Sequence, residues 1–373
     1  MRTLLKSCRA AVLLSLLLVS ACSPFYVLRA AYEESKILWR REPIEKALEK
    51  PDLDPETREK FKLVLEVREY ARDRLQLNVG GSYASYSYID RADLTYVLTA
   101  APKTELRPYT WWFLIVGHVP YKGFFYEEDA KAEADRLESH GYDTYVRTSP
   151  AFSTLGWFDD PLLTHLLKYD KVTLATVIFH ELFHNTLYVG GAGDFNESLA
   201  NFVGGTAAIS FFRDRYGEGS AEHARAVRAW EEEVEFSRSV RKLADSLREL
   251  YAKDLPTDEK LRLKDDILSR GRKEWSEQTA PRPQHRFRGF SQMKVNNAVM
   301  IHFRLYLKEL DLFESVYQAN GKDLTHSIEL IKEAVKNAEE PFAAVRELTK
   351  KLRSQISEKN DPALGAVTAS TSR

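Results

Sequence analysis

The segment from Lys171 to Val189 sets the tightest limit on how this chain folds. Leu174, Val177, Ile178, Phe179, Leu182, Phe183 and Leu187 would cover a helix nearly all round, so the helix must be buried. Three titratable groups, His180, Glu181 and His184, stand inside that run. Burying them is costly unless something satisfies them. Histidines four apart lie one helical turn from each other, so both rings can address one cation while Glu181 emerges beside them. With this composition, about 0.03 occurrences of His, carboxylate, then His at this spacing are expected by chance. A Zn²⁺ ion would take one nitrogen from each ring and require one more protein ligand plus a water. Glu197 is the candidate, 13 positions after His184. Gly190, Gly191 and Gly193 favour a sharp return, and a six-residue connection covers up to about 20 Å. Asp170 is positioned to cap the first helix and Gly190-Gly191 to end it, giving about five turns. Asp194 is the expected cap of the second. There Ala200, Gly204 and Ala208 share the face of Glu197 and would let the two helices approach closely.

A cysteine-based structural zinc site has no material, because the only two cysteines, Cys8 and Cys22, lie at the extreme N-terminus. Arg2, Lys6 and Arg9 precede an apolar run, Ala10 to Val19, too short to span a bilayer comfortably. Val19-Ser20-Ala21-Cys22 is similar to the lipobox of bacterial lipoproteins. That likeness implies a signal peptide over residues 1–21, a lipid on Cys22 as the new N-terminus and, with Ser23 following, an outer-membrane location facing the periplasm. Removing the leader moves the formal charge from −1 to −4. With Lys+Arg 54 against Asp+Glu 55 there is no global basic field, which excludes general nucleic-acid binding by charge.

Residues 22–77 predict two helices punctuated by Pro51 and Pro55. The segments Ser82 to Ile89, Leu94 to Thr99, Trp111 to Val116, Tyr121 to Tyr126 and Tyr142 to Val146 predict strands of a small twisted sheet, with a helix over 127–140. Pro150 to Phe158 reads as one more strand, ending at the turn Asp159-Asp160-Pro161. From Leu162 the chain reads as helical, with charged segments 221–253 and 257–276 as a solvated antiparallel pair. The expected fold is α+β, with a domain over 78–353 whose C-terminal half is helical and a disordered tail over 354–373.

His180-Glu181-Leu182-Phe183-His184 followed by Asn196-Glu197-Ser198-Leu199-Ala200 resembles the glutamate zincins, metallopeptidases whose third ligand is a glutamate on the next helix. With Trp112 to Phe125, Ser153 to Leu162, Phe195 to Ser198 and Asn296-Asn297-Ala298, the chain is similar to a bacterial family of lipoprotein aminopeptidases over most of its mature length. The resemblance implies that His180, His184 and Glu197 hold one Zn²⁺, that Glu181 is the general base, and that the substrate is a peptide. An oxyanion donor would come from Tyr188, His302 or Tyr306, and the strand near Phe152 to Trp157 would pair with substrate or serve as an aromatic core strand. Asn296-Asn297 could act in helix packing, in support of the site or in substrate contact. The Gly-Ala-Met-Glu-Asn motif of one large aminopeptidase family is absent, so exopeptidase action stays open. A non-catalytic envelope lipoprotein built on this scaffold, and a hydrolase of non-peptide amides, are the other readings.

Overall fold

The computed structural model describes residues 32, 35–90, 95–113, 117–149 and 159–359. The leader with Cys22 and the expected strand over 150–158 lie outside them. Among the described residues no helix is long and apolar enough to cross a membrane.

A short helix, α1 (Ile44–Leu48), leads into α2 (Pro55–Asp73). Proline at the first helical position and the Asp54 carboxylate accepting from the Thr57 amide start α2. Its buried stripe, Phe61, Val64, Val67 and Ala71, joins one continuous core with Leu174, Ile178 and Phe179 of α4 (Lys171–His184). The N-terminal segment is therefore packed against the helix that carries the two histidines. It is not wholly helical: Glu42–Pro43 forms a strand, β1.

The expected single sheet is three small ones among the described residues. β1 pairs antiparallel with β2 (Ser85–Ser87), which pairs in parallel with β8 (Leu162–Leu163). β3 (Thr95–Pro102) lies between β6 (Lys122–Phe124) and β7 (Tyr142–Ser149), antiparallel to both. β4 (Trp111–Phe113) and β5 (Gly117–Val119) make a hairpin. Left-handed backbone at Tyr83 and Gly117, with Pro120 next, limits most strands to two or three residues. Along β7 side chains alternate. Tyr142 and Val146 join the small core under helix α3 (Glu127–Ser139), with Leu98, Ala130 and Leu137. Asp143, Tyr145 and Arg147 therefore face the other way, toward the helical body.

That body comprises α5 (Gly193–Tyr216), α6 (Ala221–Tyr251), α7 (Thr257–Thr279), α8 (Asn297–Leu307), α9 (Leu310–Ala319), α10 (Leu324–Val335) and α11 (Pro341–Lys359). Three sequence expectations change here. Residues 354–359 belong to α11 rather than to a disordered tail, because the helix begun at Pro341 continues through them. α6 is more than half of a solvated pair: Trp230, Val234, Phe236 and Val240 recur at helical spacing and bury one face. Leu162–Leu163 pairs as a strand where helix was expected.

α5 passes very close to α4 at Gly204. A methyl group there would lie 2.8 Å from the Thr176 carbonyl oxygen and 3.2 Å from the His180 Cβ. Gly204→Ala should therefore cost about 1–3 kcal/mol by forcing the helices apart. Thermal denaturation checks this, and a midpoint equal to that of the parent chain would mean the contact is slack.

Asn296 and Asn297, left open by the sequence, are tie points between sheet and helices. Asn296 caps α8 at the Val299 amide and donates to the Thr144 carbonyl at 2.9 Å. The Asn297 side chain donates to the carbonyls of Pro102, Lys103 and Glu105 and accepts from the Tyr251 hydroxyl. Its backbone amide donates to Asp143, whose carboxylate also takes the buried Lys264 ammonium at 2.9 Å. These bonds set α8 against β7.

Candidate metal centre and cleft

α4 starts under Asp170, whose carboxylate accepts from the amides of Val172 and Thr173. It ends at His184, six residues before the glycine pair expected to stop it. Asn185 closes the helix, and the loop after it is held by a side chain instead of continuing the helix. Asn196 accepts from the Val189 amide at 2.9 Å and donates to the Val189 carbonyl at 2.8 Å. α5 begins at Gly193 with Ala192 as its cap, so Asp194 lies in the first turn and pairs with Lys308 at 2.6 Å. Glu197, one residue beyond the clamp, is thereby delivered to the histidines.

The His180 Nε2 stands 3.3 Å from Glu197 Oε2 and 3.2 Å from His184 Nε2, and His184 Nε2 stands 3.8 Å from Glu197 Oε1. One ligand atom from each residue fits within a 4.8 Å span. A tetrahedral ion with bonds of about 2.0–2.1 Å separates its ligands by about 3.3 Å, so the triangle matches that donor set. The buried His184 Nδ1 has no hydrogen-bond partner, and two ring nitrogens face each other across the triangle, where a cation would resolve their opposition.

Asn201, missed by the sequence argument, fixes His180. Its side-chain oxygen lies 2.9 Å from His180 Nδ1, and its amide donates to Glu233 at 3.2 Å and to the Tyr306 carbonyl at 2.9 Å. A proton on Nδ1 leaves Nε2 to offer its lone pair into the triangle. Glu233 comes from α6 and accepts from Arg286 at 3.3 Å. Its carboxyl is raised by burial, with Arg286 opposing. Asn201 follows Glu197 by four residues, and that spacing on one helix face was the available signal. Nothing in the local sequence announced Glu233.

Burial sets the charges. It pushes the Glu181 carboxyl up to about 7, reinforced by the negative charge of Glu197 and Asp160 and opposed by His180. Glu181 makes no hydrogen bond among the described residues. Burial also pushes Glu197 up, but the hydrogen bond from His180 and the charge of both histidines outweigh it, so its carboxyl falls below the ordinary value. His184 is lowered by burial to about 4 and is neutral near neutrality. Burial lowers His180, yet Glu197 and Glu181 draw it above its ordinary value.

Tyrosines line the rest. Tyr83 lies beside Glu181, and Tyr121, between β5 and β6, feels Glu197, Tyr306, Tyr188 and Glu181. Burial raises both phenols above the ordinary range, so each remains a neutral donor. Of the three expected oxyanion donors, Tyr306 is brought nearest the triangle: its ring centroid is 6.4 Å from that of His180. Tyr188 is half exposed beside Tyr121. His302 lies between the rings of Tyr145, tilted against it, and Tyr306, edge-on to it, and burial lowers it to about 3, so it carries no charge there. His118, His140 and His285 take no part in the triangle.

A family model described as putative aminopeptidase matches residues 25–344. No curated protein and no solved structure matches the chain.

Proposed function

The chain belongs to the putative aminopeptidase family, and from that premise we propose that it is a zinc-dependent peptidase of the glutamate-zincin type. His180, His184 and Glu197 would hold one Zn²⁺, and Glu181 would be the general base. The observation that carries the proposal is the donor cluster: His180 Nε2 lies 3.2 Å from His184 Nε2 and 3.3 Å from Glu197 Oε2, and His184 Nε2 lies 3.8 Å from the other carboxylate oxygen, spacings that suit one small cation. When bound, such an ion supplies Lewis acidity toward a carbonyl oxygen and lowers the pKa of a water.

The remaining steps fall to side chains. Glu181, whose carboxyl makes no hydrogen bond among the described residues and is raised toward neutrality by burial, takes the proton of the attacking water and hands it to the leaving amine nitrogen. A divalent cation beside it would draw its pKa down and keep it ionised at the start of the cycle. The Tyr306 hydroxyl, neutral and held in place by Arg147 at 3.1 Å, is the donor best placed to meet negative charge developing on the carbonyl oxygen. Asn201 keeps His180 in the tautomer this arrangement needs. We further propose that a lipid on Cys22 tethers the enzyme to the periplasmic face of the outer membrane.

The test is zinc content, measured by elemental mass spectrometry on the purified chain and on Glu197→Ala. The parent should carry about one ion per chain, and the variant should lose it on dialysis against a weak chelator. Zinc held equally by both proteins would remove Glu197 from the ligand set and with it the zincin assignment.

A further inference from the structure

Arg147 is a cation with no acid to answer it. Of two cations close by, the buried Lys264 pairs with Asp143 and the exposed Arg286 with Glu233. Arg147 has none among the described residues. Its Nη2 donates to the neutral Tyr306 hydroxyl at 3.1 Å, and its Nη1 reaches the Thr148 carbonyl only at 3.4 Å. Its Nε is sealed from solvent with no partner. Strand alternation aims the side chain away from α3 and toward α8, and its guanidinium acts on both Glu197 and Tyr306. It therefore stands beside Tyr306 and within electrostatic reach of Glu197.

No carboxylate of the described residues forms an ion pair with Arg147, whose charge reaches Glu197 only at longer range. An unpaired, partly desolvated guanidinium favours an anion, and its planar fork matches a carboxylate. The three carboxylates that act on His180 are Glu197, Glu181 and Glu233. One is an expected ligand, one the expected base, and the third is held by Asn201 and Arg286. None of these three is left to receive a substrate ammonium.

We infer that Arg147, with Tyr306 beside it, anchors the free α-carboxylate of a short peptide, so that the site recognises the carboxyl end of its substrate rather than the amino end. The Tyr306 ring centroid lies 6.4 Å from that of His180 and 5.7 Å from the Arg147 guanidinium carbon, and one residue of extended chain spans about 3.3–3.6 Å, so a carboxylate one to three residues past the scissile bond would reach Arg147. This inference rests on the peptidase reading, and the test separates the two.

The probes are the tripeptide Ala-Phe-Ala, its C-terminal amide and its N-acetyl form, given to the full-length protein and to Arg147→Met and Arg147→Lys. Amidation should lower kcat/KM by about 10- to 100-fold in the parent, the effect of losing a charge-assisted pair, while acetylation costs less. Arg147→Met should treat acid and amide alike, with Arg147→Lys between. Melting curves identify a variant that fails to fold, in which case Arg147→Lys carries the comparison. Calorimetric titration of acid and amide into Glu181→Gln, with and without Arg147→Met, reads the same preference as affinity without turnover. Absence of hydrolysis with an Arg147-dependent preference for the acid would defeat the peptidase reading and keep the anchor. Hydrolysis with acid and amide treated alike would do the reverse. Equal or absent binding of the two peptides, or a preference intact in Arg147→Met, overturns the anchor.

Discussion

Glu181→Gln should lower peptide hydrolysis by about 10²- to 10⁴-fold and leave zinc bound. Glutamine keeps the size and polarity of the side chain but cannot accept and pass on a proton. The donor triangle is built from its neighbours, so metal content should not move. A second signature distinguishes loss of a base from general damage. Burial raises the folded-state pKa of Glu181 from 4.5 to about 7, so its ionised form is the one the fold disfavours. Folding stability of the metal-free chain therefore falls as pH rises from about 4.5 through about 7. Glutamine has no such charge, and metal-free Glu181→Gln should gain stability above pH 7, by up to roughly 3 kcal/mol for a shift of this size. Denaturant melts at pH 5 and pH 8, beside assays of the zinc-loaded proteins, check both parts. Hydrolysis retained in the variant would remove Glu181 from the mechanism, and a cellular role untouched by the change would favour a scaffold over an enzyme.

The second large effect is expected far from the metal donors. Lys264→Met should destabilise the protein by about 3–5 kcal/mol, because it leaves Asp143 charged and buried without its cation. Asp143 also receives the Asn297 amide, and Asn297 holds the end of β3 through three carbonyls. Losing this junction should loosen α8 and with it Tyr306, so turnover should drop in the molecules that remain folded. Urea denaturation measures the first effect, and kcat below the melting transition the second. A loss under about 1 kcal/mol would mean that water or a rearranged side chain replaces the ammonium. Replacing both partners by apolar residues should recover only part of the loss, since the Asn297 amide would then lose its acceptor.

The histidine pair and Glu181 were legible because their chemistry is written at helical spacing within five residues. Glu197 was legible because glycines and a short gap bring it back along a neighbouring helix. The end of α4 was misread for a physical reason: glycines usually stop helices, but here the Asn196 side chain takes over the backbone of the following loop, and no local pattern encodes that exchange. The wall of the cleft was mostly hidden. Arg147 sits in Tyr142–Ser149, where alternation tells that Tyr145 and Arg147 share a face but not which face meets α8. Glu233 reaches the site only through packing of a helix whose charges resemble those of an ordinary solvated surface, and Arg286 reaches it from a turn. The small sheets were predicted as existing but not as divided, because pairing depends on left-handed residues such as Tyr83 whose conformation the sequence does not announce.

The two ties at Asn296 and Asn297 have a temporal consequence. Asn297 bonds to residues 195 and 192 positions earlier in the chain, whereas Glu197 meets His184 across a separation of 13. Closing a long loop costs more entropy than closing a short one, and non-local pairings slow assembly. As the chain emerges in order, the helix pair carrying the donors is complete more than eighty residues before α8 arrives. The cluster of histidines and Glu197 thus ripens first, and the surface proposed to grip a substrate is the last part of its surroundings to exist.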